Sequence, residues 1–108
     1  MSYSVIAVPK FKKELKKLAK KYLSLKDEFA TLIKSLETEP KQGTALGKNC
    51  YKIRLTIKSK GKGKSGGARV ITNIAISDTI VYLLSIYDKA DKENLTDKEL
   101  EELLKSVK

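Results

Sequence analysis

Five side chains in this sequence could act on one phosphodiester. Lys52 and Arg54 stand two apart in "CYKIRLTIK", Arg69 opens "ARVITNIAI", and Tyr87 and Lys89 close "TIVYLLSIYDK". Residues two apart in a strand share a face. If the three strands are neighbours, the five side chains can converge on one polar patch. A guanidinium matches phosphate oxygens in bidentate fashion, and a tyrosine can stack on a base or donate a proton. Each residue alone reads more readily as surface charge; jointly, as non-acidic residues on one sheet, they are harder to dismiss as that.

Between two of these strands lies "KSKGKGKSGGARV", with Lys58, Lys60, Lys62 and Lys64 among four glycines. Its "GKGKSG" has the spacing of a dinucleotide fingerprint, but that motif needs a strand before it and a helix after it. Here a β-branched strand follows. The Gly-Lys-Ser at 63–65 lacks the earlier glycine of a phosphate loop, since Lys58 occupies that position. The stretch reads either as a solvated hairpin loop or as a set of lysines that capture phosphates by charge, with counterion release supplying affinity. Lys12, Lys13, Lys16 and Lys20 in "KFKKELKKLAKKY" carry the same two readings, a solvated helix face or an RNA-contacting one.

Length and composition narrow the classes. The 108 residues suit a single domain, residues 1–108, and 41% apolar content supports a core. The formal net charge of +10 implies a polyanionic partner. The charge is one-sided: residues 1–77 hold 18 basic and 5 acidic side chains, and residues 78–108 hold 5 and 8. With no histidine, His-based zinc sites and His acid–base chemistry are excluded. The one cysteine, Cys50, forms no intrachain disulfide and reads as a small buried side chain. No apolar run nears the roughly 20 residues that span a bilayer, and the N-terminus lacks a signal peptide's apolar core. The expectation is a cytoplasmic protein with no membrane contact, no metal and no small-molecule cofactor.

The elements that must position the five residues follow from periodicity. "YSVIAV" reads as a strand, and Pro9 suits a first helical turn. Phe11, Leu15, Leu18 and Tyr22 make one helical face. A second helix carries Leu25, Phe29, Leu32, Ile33 and Leu36, with Ser24 and Asp27 as its capping pair. Residues 37–49 read as loop. In "CYKIRLTIK", Tyr51, Ile53, Leu55 and Ile57 alternate with Lys52, Arg54, Thr56 and Lys58, giving a half-buried strand with a cationic outer face. "ARVITNIAI" and "TIVYLLSIY" are further strands, with Ser77 and Asp78 at the turn between them. Thr96 and Glu99 form a capping box for a terminal helix edged by Leu100, Leu103, Leu104 and Val107. The order β-α-α-β-β-β-α predicts an α+β fold, a helical hairpin on a mainly antiparallel four-stranded sheet.

With "YKIRL", "ARVI", the basic glycine loop between them and "LLSIYDKAD", the chain resembles the RelE/ParE toxin superfamily of bacterial type II toxin–antitoxin systems, in its RelE-like, HigB-like branch. The resemblance implies a ribosome-dependent mRNA endoribonuclease, an mRNA interferase that inhibits translation. In such toxins the ribose 2′-hydroxyl attacks the adjacent phosphate without a metal. It implies as partners the ribosome with its mRNA and rRNA, and a cognate antitoxin. By position, Lys52 and Arg54 match the family's basic strand residues, Arg69 its phosphate-clamping arginine, and Lys89 a basic residue at the last strand's end. The family's tyrosine beyond that strand has no counterpart after Lys92, and Tyr87 lies earlier. Two other functions fit the same features: a ParE-like inhibitor of DNA gyrase that cuts nothing, and a basic RNA-binding module without catalysis. The few aromatics (5 Tyr and 2 Phe) weigh against a stacking platform.

Overall fold

A computed structural model describes residues 2–58, 67–92 and 94–107. The chain runs β1 (Ser4–Ala7), α1 (Pro9–Lys21), α2 (Leu25–Thr38), β2 (Thr44–Gly47), β3 (Cys50–Leu55), β4 (Ala68–Ala75), β5 (Ile80–Asp88) and α3 (Asp97–Leu104), with a 3₁₀ turn over Lys105–Val107. The sheet order is β1-β5-β4-β3-β2. Only the β1–β5 pair is parallel.

The α+β fold is as expected, with five strands in place of four. The additional strand, β2, lies inside the stretch read as loop. It is short and mostly exposed, so it has no apolar alternation to announce it. It pairs with β3 through a two-residue turn in which Lys48 and Asn49 take φ of 55° and 61°, the left-handed geometry that matches strand twist. Gly43 enters this hairpin at φ 88°, and a Cβ there would sit 2.2 Å from the Lys52 carbonyl oxygen.

Phe11, Leu18, Leu25, Leu32 and Leu36 of the helical hairpin join one core with Ile53, Leu55, Val70, Ile74, Val81 and Ile86 of the sheet. The Phe11 and Phe29 rings meet at 5.6 Å between centroids. The apolar stripes read from the sequence are therefore the faces that pack. Ser24 does not cap α2, because its backbone is already helical (φ −79°, ψ −9°) and a capping residue needs extended geometry. Its hydroxyl donates instead to Glu28 Oε1 at 3.1 Å, while Glu28 Oε2 accepts the Lys58 N–H at 2.6 Å. The Thr96–Glu99 capping box is present, with reciprocal bonds of 2.9 and 3.1 Å.

The end of β5 is held in an unusual way. β1 flanks β5 only as far as Leu83, and Val8 N–H donates to the Leu83 carbonyl at 3.1 Å. Beyond that point α1 takes over the open side of the strand. Glu14 Oε1 accepts the Ile86 N–H at 3.3 Å and the Ser85 hydroxyl at 2.9 Å. Tyr22 donates to the buried Asp88 carboxylate at 2.5 Å. A buried polar group left without a partner is costly, so Glu14 stands in for a missing strand at Ile86, and Tyr22, just past α1, partners the Asp88 side chain.

Candidate active site on the sheet

Register places the predicted residues relative to one another. Arg54 of β3 pairs with Arg69 of β4, and Arg69 pairs with Tyr87 of β5. Directly opposed residues in an antiparallel sheet point to the same face, so these three side chains form one row across the sheet. One step along, Lys52 pairs with Ile71 and Ile71 with Ser85. Lys89 lies just past β5, and its N–H donates to the Gly67 carbonyl at 3.2 Å, so it borders the row.

The row is graded in exposure. Arg54 is exposed, Tyr87 half-buried and Arg69 only 5% exposed. Arg69 donates to its neighbour's carbonyl, that of Ala68, at 3.2 Å. Among the described residues no carboxylate lies within 4.0 Å of it. A nearly buried guanidinium without an anion is electrostatically incomplete, and phosphate oxygens have the charge and spacing that suit such a group. The Tyr87 hydroxyl is buried with no hydrogen-bond partner among the described residues. Burial pushes the phenol's pKa up, and the Arg69 charge works against that rise. Tyr87 therefore keeps its proton at neutral pH. Lys92 stands over its ring, 5.9 Å from the centroid, and ion-pairs with Glu99.

Two clefts meet at Tyr87. One of about 220 Å³ is lined by Lys10, Glu14, Ser85, Tyr87 and Lys92 and by Glu99 and Leu103 of α3. The other, of about 250 Å³, is lined by Glu14, Lys17, Lys21, Tyr87, Asp88 and Asp91 among others. The charged α1 residues that share a cleft with Tyr87 are thus Lys10, Glu14, Lys17 and Lys21, while Arg54 and Arg69 line neither cleft. None of these α1 residues was singled out from the sequence as a site residue. The lysines that were lie elsewhere on α1: Lys12, Lys16 and Lys20 line a separate groove with Leu15, Ala19 and Lys26, and Lys13 joins Lys12 and Lys16 beside Pro9. The helical periodicity could have separated these two sets, because residues 10, 14, 17 and 21 fall on one face. Lys58 is exposed. Lys60, Lys62 and Lys64 lie outside the described residues.

Cys50 is buried, and burial raises its thiol pKa. It accepts from Asn73 at 3.5 Å, as a packed side chain rather than a nucleophile. Among the described residues no three His, Cys, Asp or Glu side chains cluster as metal ligands would, and no helix is long and apolar enough to cross a membrane.

Two comparisons with known proteins bear on this arrangement. The family model for the RelE toxin of the RelE/RelB toxin–antitoxin system matches residues 10–108. Among solved structures, the chain is similar to a doubly arginine-to-alanine mutant of the E. coli toxin RelE in the free state. That match has a TM-score of 0.68 and 18% identity, and covers 100% of both chains. At that identity the likeness speaks for the fold alone.

Proposed function

The chain belongs to the RelE toxin family, and on that premise we propose that it is a ribosome-dependent mRNA endoribonuclease that inhibits translation. The observation that carries this reading is the Arg54–Arg69–Tyr87 row, with its nearly buried guanidinium that meets no carboxylate among the described residues. Arg69 and Arg54 hold the scissile phosphate, and Lys52 and Lys89 add positive charge at its border. When the ribose 2′-oxygen attacks phosphorus, negative charge builds on the non-bridging oxygens. Fixed guanidinium groups stabilise that charge in place, without reorganising. The bond from phosphorus to the 5′-oxygen then breaks, leaving a cyclic phosphate and a 5′-hydroxyl. Tyr87, which keeps its proton at neutral pH, donates it to the departing oxygen, while water takes the proton that the 2′-hydroxyl loses on attack and afterwards returns one to the phenolate. The lysines of α1 and of the stretch from Lys58 to Lys64 supply contact to RNA by charge.

Such a toxin has its place with the translating ribosome in the cytoplasm. Its antitoxin, with acidic side chains, covers the basic face and neutralises it. Primer extension on mRNA from translating ribosomes tests the activity. Discrete cuts with the wild type and a loss of about 10²-fold or more with Arg69→Ala are expected. Intact mRNA with plasmid trapped on gyrase would replace this reading with the ParE-like one.

A further inference from the structure

We infer that Glu14 is a positioning residue for Tyr87: the α1 carboxylate fixes the end of β5 on which the phenol is carried. This rests on the nuclease reading for its catalytic consequence, though the placement itself stands on geometry. The Tyr87 hydroxyl has no hydrogen-bond partner among the described residues, so no bond of its own fixes the ring. Its position is set by the backbone beneath it and by the walls around it. On one side that backbone follows an irregularity: the β4–β5 register shifts between Ile71 and Thr72, directly before the Ser85–Tyr87 segment. On the other side β1 has already ended. Glu14 closes this open edge, with Oε1 on the Ile86 N–H and the Ser85 hydroxyl and Oε2 on Lys10 Nζ at 2.6 Å. Ser85 and Ile86 immediately precede Tyr87, and Glu14 and Tyr87 both line each of the two clefts.

The hydrogen bonds, not the negative charge, do the positioning. Glutamine at position 14 retains an acceptor for the Ile86 N–H and the Ser85 hydroxyl. The exposed Lys10 ammonium, which would face its amide, is free to turn to solvent. Alanine retains nothing. A carboxylate acting as general base would instead be lost in both variants. The two substitutions therefore separate a positioning role from a chemical one.

The test measures mRNA cleavage on purified translating ribosomes for the wild type, Glu14→Gln, Glu14→Ala, Tyr87→Phe and the Glu14→Ala/Tyr87→Phe double variant, each well below its melting temperature. Glu14→Gln is expected within about 3-fold of wild type. Glu14→Ala is expected to lose about 10²-fold in kcat with KM unchanged. The double variant is expected to be no slower than Tyr87→Phe alone, because the effect passes through the phenol. Losses that multiply, a loss confined to KM, or Glu14→Gln as slow as Glu14→Ala would each overturn the assignment. In parallel, the 3-fluorotyrosine resonance that disappears in Tyr87→Phe should shift in Glu14→Ala and return in Glu14→Gln. If it stays unmoved in Glu14→Ala, the assignment is overturned without recourse to cleavage. Should the resonance shift while no form cuts mRNA, the hold on Tyr87 is supported and the nuclease reading falls.

Discussion

Arg54 and Arg69 stand directly opposite each other across β3 and β4. Like charges in this position repel, at a cost on the order of 0.2–1 kcal/mol. The exposure of Arg54 puts the pair near the lower end, since water screens it. A fold does not need this pair, whereas the proposed nuclease reading does. Arg54→Thr should raise the melting temperature by about 2 °C while weakening mRNA cleavage. Added salt should narrow the gap, because ions screen the repulsion that only the wild type carries. Calorimetry of both forms at two salt concentrations decides it; a variant that melts lower at low salt would contradict the repulsion.

Tyr87→Phe should separate stability from activity in the same direction. Removing a buried hydroxyl that has no partner among the described residues relieves a desolvation penalty of about 1 kcal/mol, whereas on the proposed reading loss of the proton donor should slow cleavage by about 10²-fold or more. The pH dependence follows from the raised phenol pKa. The unfolded chain releases this proton near pH 10, before the folded chain does. Above that pH the native state binds more protons than the unfolded one, so stability falls as pH rises. Tyr87→Phe should show a shallower alkaline loss than wild type once the pH passes about 10. Parallel denaturation curves for the two would mean that Tyr87 is not buried in solution.

Gly67 is the tightest point beneath the row. A Cβ there would lie 2.3 Å from the Leu55 carbonyl oxygen, a backbone atom that cannot swing aside. Gly67→Ala should therefore cost about 2–4 kcal/mol by prising β4 from β3 next to Arg54 and Arg69. Chemical denaturation measures this; an unchanged midpoint would show that the strands separate there without penalty.

Thr79 takes φ of 52° in the β4–β5 turn, a conformation that is strained for a β-branched residue. Thr79→Asn should stabilise the fold by about 0.5–1 kcal/mol and leave cleavage untouched, as it lies at the opposite end of β5 from Tyr87. A lower melting temperature would show that the Thr79 hydroxyl, which donates to the Asp78 carbonyl at 2.7 Å, outweighs the strain.

What the sequence made legible follows the range of the forces involved. The β3 alternation shows that Lys52 and Arg54 share a face, because a strand's period is local. The Thr96–Glu99 box is likewise complete within four residues. The facing of Arg54, Arg69 and Tyr87 depends on register between strands, which the apolar pattern constrains but does not number. β2 escaped because an exposed edge has no buried face to betray it. The parts played by Glu14 and Lys10 were out of reach for another reason. On a helix covered with lysines, only the position of β5 tells which flank meets the site. The Ser24 capping signal failed because the turn from α1 into α2 leaves that residue already helical.

The parallel pairing of Ser4–Ala7 with Ile80–Leu83 ties the first strand to the last. During synthesis β1 must wait, without its β5 partner, until residues 80–83 have emerged. Contacts so distant in sequence form slowly, and in their absence α1 has no strand end for Glu14 and Tyr22 to grip. The end of β5 that carries Tyr87 is thus held on its open side only after residues 80–88 have been made and β1 has folded back onto them.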